Sequence, residues 1–426
     1  MENNQDPKNG MNEESEDFSY LKETIKKESK TRMITKKVAR VAVYGLIAGV
    51  FACLGFYALK PWALEHIDSD GERIIIESDE SAAADPEEES TDTAQQIQVL
   101  DSANYKELMS QMYQVAKNAN KSVVAVTAAK KTVKDVEQEL DAKDPTNSVS
   151  GVIVTITDQE VLVLTASSIT KTGTSWNVAF ADNSSYPAVL KSQDENIGLA
   201  VMSVSRSVLS GTTMEEIKAA SLGNSNQVHQ GDSVIALGNP FGYADGMGYG
   251  VVSTAEYDKM MDDGEYGVLG TDIAAVEDGT GALFNFSGDL IGIIMPGVWD
   301  NVEGTVSNAL SLSDLKPTIE LLVNGESVPY VGIRGTTISD KIAEEQNLPK
   351  GVYVGEAAAD SPAMTAGIQS GDIITSIGKK DITTFEAYQG EVLDLKVGEE
   401  VKIEGLRRGS SGYVDIEFTV VVGSKE

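Results

Sequence analysis

Histidine and cysteine are both scarce in this chain of 426 residues. His66 and His229 are the only histidines, and imidazole is the side chain that most often activates a weak nucleophile at neutral pH. This scarcity limits the acid–base chemistry that the chain can perform. Cys53 is the only cysteine, so no disulfide can form within the chain, and cysteine pairing says nothing about the redox state of its compartment.

Positive charge is also in short supply. The sequence has 34 Lys and Arg against 66 Asp and Glu, a formal net charge of −32. Because binding to phosphate backbones needs clustered basic residues, we expect no nucleic acid partner. Hydrophobic residues make up 41% and charged residues 23% of the chain, which is typical of a globular protein, and the length suits two or three domains. We expect neither a cofactor nor a metal ion.

One hydrophobic run is long enough to cross a membrane. Residues 41–59, VAVYGLIAGVFACLGFYAL, contain no charged residue, and a helix of that length spans ~28 Å, close to the ~30 Å of a hydrocarbon core. A cleaved signal peptide is the alternative, but the polar segment of residues 1–40 is far longer than the usual leader. Basic residues precede the run and acidic residues follow it, which predicts a cytoplasmic tail (residues 1–40) and a bulk outside the cytoplasmic membrane.

Residues 60–103 come next, and residues 68–101 within them are acidic, rich in Ser, Thr and Gln, and poor in aromatic residues. Such a composition buries too little surface to fold alone, so we predict an extended linker. The folded part then begins at residue 104, where Leu108, Met112 and Val115 recur at helical spacing and predict a helix that packs on the next part of the chain.

Short apolar runs, separated by glycine or polar turns, dominate residues 104–325 from residue 122 onwards. The runs are SVVAVTA, SGVIVTIT, EVLVLTA, WNVAF, YPAVL, GLAVMSV, DSVIAL, GVVST, GVLGTDI and DLIGIIM. Many short strands with little helix between them predict an all-β barrel or sandwich, and ~200 residues suit two packed barrels. Residues 131–147 are predicted to form an exposed loop. Residues 326–426 mix strand and helix patterns and predict one small α/β module.

The most informative turn lies in residues 271–284, TDIAAVEDGTGALF, where a short apolar strand runs into an acidic turn with glycines. Thr280 stands there between Gly279 and Gly281. A nucleophile flanked by glycines is one way in which a β scaffold presents a reactive oxygen beside backbone N–H donors. A β-hairpin turn with an exposed threonine is the simpler interpretation, and the fragment alone leaves both open.

Two longer motifs are more specific. They are GDSVIALGNPFGY at residues 231–243, with GVVST downstream, and SPAMTAGIQSGDIITSIG at residues 361–378. With them, residues 122–422 resemble the HtrA (DegP/DegS-like) family of membrane-anchored, trypsin-like serine proteases with a C-terminal PDZ domain. The resemblance implies a mostly β protein: a trypsin-like double β-barrel in residues 104–325 and a small α/β PDZ domain in residues 326–426, tethered by one N-terminal transmembrane helix. It also allows homo- or hetero-trimers.

The catalytic positions of that family are occupied by other residues in this sequence. The family places its His in a T-N-x-H-V pattern, its Asp just before an L-A-V run and its Ser in a G-N-S-G-G-P-L loop. The matching runs are LTASSIT, DENIGLAV and DGTGALF, which put Ser168, Gly198 and Thr280 at the three positions. Ser168 is no base, Gly198 has no side chain, and Thr280 carries a stiffening β-methyl group. The resemblance thus implies a degenerate triad and a pseudoprotease.

Other ionisable residues do not restore the triad. Asp194 and Asp272 are expected near the site, but without an imidazole they have nothing to orient. His229 directly precedes a strand of the second barrel, so we expect it in an exposed turn rather than in the site.

The run YVGI matches the carboxylate-binding loop of the family's PDZ domain, so the resemblance implies a peptide-binding role for Tyr330, Val331, Gly332 and Ile333. In that role the domain takes protein or peptide C-termini by strand addition. The alternative is that these residues merely begin a strand.

Three functional hypotheses fit these patterns. The first is a membrane-anchored, non-catalytic protein that binds peptides or protein partners through its PDZ domain outside the cytoplasmic membrane. The second is an active serine-type endopeptidase in envelope protein quality control, with an atypical site at Thr280. The third is a sensor that signals through the basic cytoplasmic tail, although no catalytic or DNA-binding motif occurs there.

Overall fold

The computed structural model describes residues 73–79, 102–128, 148–298 and 306–426. The predicted cytoplasmic tail (1–40), the predicted transmembrane helix (41–59) and the charged loop at 131–147 lie outside the described residues. Within the described ranges, no helix is both long and apolar enough to cross a bilayer.

A closed six-stranded barrel forms the first half of the folded part. Helix α1 (Ser102–Ala119) leads into it and buries Ala116 and Ala119 against its strands. The strands are β1 (Val123–Ala128), β2 (Ser148–Ile156), β3 (Glu160–Ala166), β4 (Trp176–Ala179), β5 (Ser185–Asp194) and β6 (Leu199–Ser205). They pair in the order β1-β2-β3-β6-β5-β4. The β-branched, apolar character of these runs suits strands whose side chains fill a barrel interior.

The second half is another barrel, reached through α2 (Gly211–Glu216) and β7 (Ser221–Leu222). Its strands are β8 (Ser233–Asn239), β9 (Gly246–Met261), β10 (Gly264–Ala274), β11 (Thr280–Asn285), β12 (Asp289–Ile294) and β13 (Val306–Ser311). The sheet order is β11-β8-β9-β10-β13-β12-β7, and pairing of β11 with β12 closes the ring. Helix α3 (Leu312–Val323) comes next and is buried along one side. The predicted pair of barrels is confirmed.

The β9–β10 hairpin is longer than its sequence patterns indicated. The runs GVVST and GVLGTDI predicted two short strands, whereas β9 has 16 residues and β10 has 11. Met261 pairs with Gly264, so Asp262 and Asp263 form the two-residue tip. Asp263 adopts a left-handed backbone conformation (φ 58°), which aspartate tolerates better than most residues. This tip reaches the C-terminal module.

The C-terminal module is a five-stranded main sheet with three helices, as the mixed pattern predicted. Its order is β14-β15-β16-β18-β19, and β17 pairs with β16. The strands are β14 (Ile333–Thr337), β15 (Val352–Ala357), β16 (Ile373–Ile377), β17 (Lys380–Asp381), β18 (Glu400–Gly409) and β19 (Gly412–Val421). The helices are α4 (Asp340–Gln346), α5 (Pro362–Ala366) and α6 (Phe385–Leu393), and Phe385 and Tyr388 of α6 are fully buried.

Residues 73–79 lie within the predicted linker but pack on helix α3. The N–H of Ile74 donates to Asn324 Oδ1 (3.1 Å), and the side chain of Ile74 contacts the barrel core. Asp79 accepts from Lys316 Nζ (2.7 Å) and from Ser313 Oγ (2.6 Å). Hydrogen bonds and an ion pair thus hold this part of the predicted linker on the second barrel, although its apolar burial is small.

We expect Asp79→Asn to lower the free energy of unfolding by about 3 kcal/mol, because it leaves a buried ammonium without its counter-ion. Lys316 is only 4% exposed. Chemical denaturation measures the change. Arg73→Ala is the matched control: Arg73 lies 3.7 Å from Glu320 at the exposed surface, and its loss should cost about 0–1 kcal/mol. Equal effects of the two substitutions would contradict the importance of the Asp79 contact.

Candidate functional site

Thr280 is the first residue of β11 and is buried, with 2% of its surface exposed. Its Oγ1 accepts a hydrogen bond from the N–H of Ser150 (2.8 Å), and its carbonyl oxygen accepts one from Ser150 Oγ (3.0 Å). The interpretation of an exposed turn threonine is therefore wrong. The hydroxyl joins the second barrel to β2 of the first.

Ser150 inserts between the strands that frame Thr280. Besides its two bonds to Thr280, its Oγ accepts from the N–H of Asn239 (2.7 Å), and its carbonyl oxygen accepts from Thr165 Oγ1 (2.9 Å). A Cβ atom at Gly238 would overlap Ser150 Oγ, and Gly238 has a positive φ of 115°. Only glycine suits this position, because the serine approaches the backbone so closely.

The turn before Thr280 folds back on itself. The N–H of Gly279 donates to the carbonyl oxygen of Val276 (3.0 Å), and the N–H of Val276 donates to that of Pro240 (2.9 Å). A Cβ atom at Gly279 would lie 2.7 Å from the Pro240 oxygen. An oxyanion hole needs backbone N–H groups that face the developing charge. In the serine-protease template these donors are the N–H of the nucleophilic residue and that of the residue two before it, which correspond to Thr280 and Asp278 here. The N–H of Gly279, which lies between them, is used within the turn.

The other two predicted triad positions lie on neighbouring segments. Ser168 is exposed in a short 3₁₀-helix, Ser167–Thr172, directly after β3. Gly198 lies between β5 and β6 with a positive φ of 87°, and its carbonyl oxygen accepts from the N–H of Ser167 (2.8 Å). A Cβ atom at Gly198 would lie 4.0 Å from Ser167 Oγ. The assignment of these positions to a degenerate triad stays a prediction.

The other ionisable residues considered near the site, Asp194, Asp272 and His229, differ in burial. Asp194 is buried at the end of β5 and accepts the N–H groups of Asn196 (2.9 Å) and Ile197 (3.3 Å). Burial raises the pKa of Asp194 to about 6, although these hydrogen bonds oppose the shift. Asp272 is exposed on β10. His229 is exposed in a turn, as predicted.

The predicted carboxylate-binding loop holds a carboxylate that belongs to this same chain. The N–H groups of Val331 (2.7 Å) and Gly332 (2.6 Å) donate to Asp263 Oδ2, and the N–H of Ile333 (2.8 Å) donates to Asp263 Oδ1. Gly332 has a positive φ of 87°, and a Cβ atom there would overlap Ser361. The loop therefore needs glycine, and its three donors converge on one acid.

Side chains around the loop complete the contact. Tyr388 donates its hydroxyl to Asp263 Oδ1 (2.7 Å), and Tyr330 donates its own to Asp262 Oδ2 (3.0 Å). Arg334 forms an ion pair with Asp262 (2.9 Å). Burial raises the pKa of Asp263, and the four hydrogen-bond donors oppose that shift. Neither acid was predicted as a contact of the loop: the run MDDGEY indicates a hairpin turn, but nothing in it indicates what the turn contacts.

We expect Thr280→Val to lower the free energy of unfolding by about 1–3 kcal/mol, because the buried N–H of Ser150 loses its acceptor while the side-chain shape is kept. Thr280→Ser keeps the hydroxyl and is the matched control, so it should cost less. Equilibrium denaturation of both variants decides the point. A valine variant as stable as the native chain would show that the hydroxyl is not structural.

The raised pKa of Asp194 predicts that the stability of the folded chain depends on pH. Because the folded chain binds this proton more tightly than the unfolded one, the contribution of Asp194 is fully present below the unfolded pKa of 3.8 and is lost as the pH rises through about 6. Between pH 5 and 7.5 we expect Asp194→Asn to remove about 1–2 kcal/mol of the fall in unfolding free energy. Denaturation curves of both proteins at the two pH values test this, and identical falls would contradict it.

The chain is similar to known proteins in both of its folded domains. Residues 149–293 match the trypsin-like peptidase domain family, and residues 329–418 match the PDZ domain family. The chain is 30% identical over 290 residues to the serine protease Do-like HtrB of Bacillus subtilis, covering 63% of this chain and 62% of that protein. It is 27% identical over 278 residues to the periplasmic serine endoprotease DegP of Escherichia coli, covering 63% and 56%. Both matches span less than two thirds of the relatives' own length.

Solved structures share the fold. The HtrA-type protease AlgW, solved with a decapeptide, superposes with a TM-score of 0.50 at 21% identity and covers 74% of this chain and 99% of that one. The same protease with a tripeptide gives a TM-score of 0.50 at 22% identity, covering 74% and 97%. The two domain matches show that the chain carries a trypsin-like peptidase domain followed by a PDZ domain, and it is similar to HtrA-type serine proteases in that order.

Proposed function

We propose that this protein is a membrane-anchored, non-catalytic HtrA-like protein that binds the C-termini of peptides or protein partners through its PDZ domain. The observation that carries the proposal is the hydrogen bonding of Thr280, whose buried hydroxyl accepts the N–H of Ser150. A hydroxyl becomes a nucleophile at neutral pH only when an adjacent base removes its proton. The contacts of Thr280 serve the packing of the barrels instead.

The residues at the other two triad positions support the same conclusion. Ser168 and Gly198 provide neither a base nor a group to orient one, and His229 lies in an exposed turn where its backbone N–H donates to Asp232. In serine proteases that lose triad members, binding and the oxyanion hole alone leave only ~10³–10⁴-fold catalysis over water.

The PDZ domain supports the binding role. Its loop at Val331, Gly332 and Ile333 directs three backbone N–H groups at a carboxylate, which is how backbone concavities capture the C-terminus of a peptide. Arg334 and Lys425 lie beside the loop and add positive charge. A C-terminal segment of a partner protein is therefore the ligand class that this chemistry fits.

The N-terminal sequence and the relatives support a location at the membrane. The uncharged run at residues 41–59, preceded by basic residues, fits one transmembrane helix with the bulk outside the cytoplasm. The E. coli relative is named as periplasmic. We propose a single-pass protein of the cell membrane with the peptidase-like and PDZ domains on the extracytoplasmic side, where trimers with itself or with active relatives would form.

A second candidate is an active endopeptidase of envelope quality control with an atypical site at Thr280, which the protease names of the relatives favour. The two candidates differ in one measurable property. The first requires no turnover, and the second requires turnover that depends on the Thr280 hydroxyl.

We expect the full chain to release no label from fluorescent casein above a buffer control, and a fluorophosphonate probe to leave it unlabelled, because the Thr280 hydroxyl has no base. Thr280→Val runs beside it as the matched variant, and trypsin shows that the substrate and the probe are competent. Turnover or labelling that is present in the native chain and lost in Thr280→Val would overturn the proposal in favour of the endopeptidase.

A further inference from the structure

The tip of the β9–β10 hairpin occupies the carboxylate loop as a peptide C-terminus would. Asp263 takes the three N–H donors of the loop with its side chain, and its own N–H donates to the carbonyl oxygen of Ile333 (2.7 Å). A peptide that adds to this sheet edge pairs with the same groups. We propose that Asp263 is an intramolecular ligand of the PDZ domain, and that a partner's C-terminus binds only after the hairpin tip has left.

The neighbouring residues of the hairpin extend the contact beyond the carboxylate. The N–H of Glu265 donates to Gln389 Oε1 on α6 (3.1 Å), and Met260 packs against the PDZ core. The hairpin thus supplies the carboxylate of Asp263 and the apolar side chain of Met260 together. A C-terminal peptide with an apolar residue near its end offers the same pair of features, so it is the class of ligand that competes with the tip.

The loop cannot hold both carboxylates at once. Each backbone N–H has one hydrogen to donate, and Asp263 uses all three. Asp263 is also only 7% exposed, so no room is left beside it. A second carboxylate at the same point would place two like charges in contact, which is costly in a buried site. Binding of the tip and binding of a partner are mutually exclusive.

Because the hairpin tip competes for the loop within the same molecule, it lowers the apparent affinity of a partner's C-terminus. A group tethered to its own site acts at an effective concentration on the order of millimolar. The apparent affinity of an external ligand falls in proportion to the fraction of molecules whose loop is open. This inference rests on the proposed function, because it assumes that the loop binds C-termini when it is open.

Release of the tip would also break contacts with the first barrel of the peptidase-like domain. The carbonyl oxygen of Asp262 accepts from Asn196 Nδ2 (2.7 Å). Lys425 bridges the same region, because its ammonium contacts the Asp262 carboxylate (3.2 Å) and its carbonyl oxygen accepts the N–H of Glu195 (2.7 Å). Asn196 and Glu195 belong to the turn that leads to Gly198. A partner that displaces the tip therefore removes contacts from both domains.

The test compares three full-length chains: the native protein, Asp263→Asn and Asp245→Asn. Asp245 is the matched control because it has nearly the same backbone conformation (φ 60° against 58°) but is exposed. The probe is a fluorescein-labelled nonapeptide pool with three randomised C-terminal positions, made with a free carboxylate and as the amide. We expect Asp263→Asn to bind the free-acid pool on the order of tenfold or more tightly than the other two chains, and no chain to bind the amide.

The outcomes separate this inference from the proposed function. Equal, carboxylate-dependent affinity in all three chains would overturn the intramolecular ligand and leave peptide binding intact. No binding by any chain would overturn both.

Hydrogen exchange of the native chain supplies a second measurement, independent of whether Asp263→Asn folds. With the free-acid pool bound, we expect the amides of Asp263 and Glu265 to lose protection, because their acceptors lie in the PDZ domain. Unchanged protection with peptide bound would also overturn the inference. Asp263→Gly, which suits the left-handed backbone, replaces Asp263→Asn if thermal melting shows that the asparagine variant is unfolded.

Discussion

Ser150 brings its main chain and its hydroxyl into the seam between two strands of the second barrel, and the arrangement of the peptidase-like domain depends on this contact. Buried polar groups are costly unless they are paired. Here one serine pairs with Thr280, Asn239 and Thr165 at once, and Gly238 leaves the space that it needs. The hydroxyl of Thr280 thus helps to hold the two barrels together.

The two acids at the hairpin tip form the second buried polar cluster. Asp262 is paired with Arg334 and Lys425, whereas among the described residues the partners of Asp263 are backbone N–H groups and the Tyr388 hydroxyl. A carboxylate stabilised by neutral donors of a loop built for carboxylates can be replaced by another carboxylate without creating an unpaired cation. This difference between the two acids explains why the contact serves as an exchangeable ligand site rather than as a fixed salt bridge.

The sequence predicted the architecture well and the contacts at its sites poorly, for physical reasons. Alternation of β-branched residues with glycine turns is a local property, so the strands of both barrels and the PDZ domain could be recognised. The orientation of Thr280 depends on whether residue 280 ends a turn or begins a strand, and the partner that decides this, Ser150, is 130 residues away. The acceptor of the loop N–H groups, Asp263, lies 70 residues before Ile333. Helical spacing and composition also gave no sign that residues 73–79 pack on α3, because hydrogen bonds to Asn324 and an ion pair to Lys316 hold them.

The position of Asp263 on a different domain from the loop that it occupies bears on how this PDZ domain is studied. A fragment that begins after the second barrel would contain every residue of the groove and none of the hairpin. Its loop would be vacant, and its affinity for a C-terminus would describe the groove alone. In the whole chain the hairpin of the second barrel fills the same loop, so an affinity measured on the fragment would not describe the intact protein.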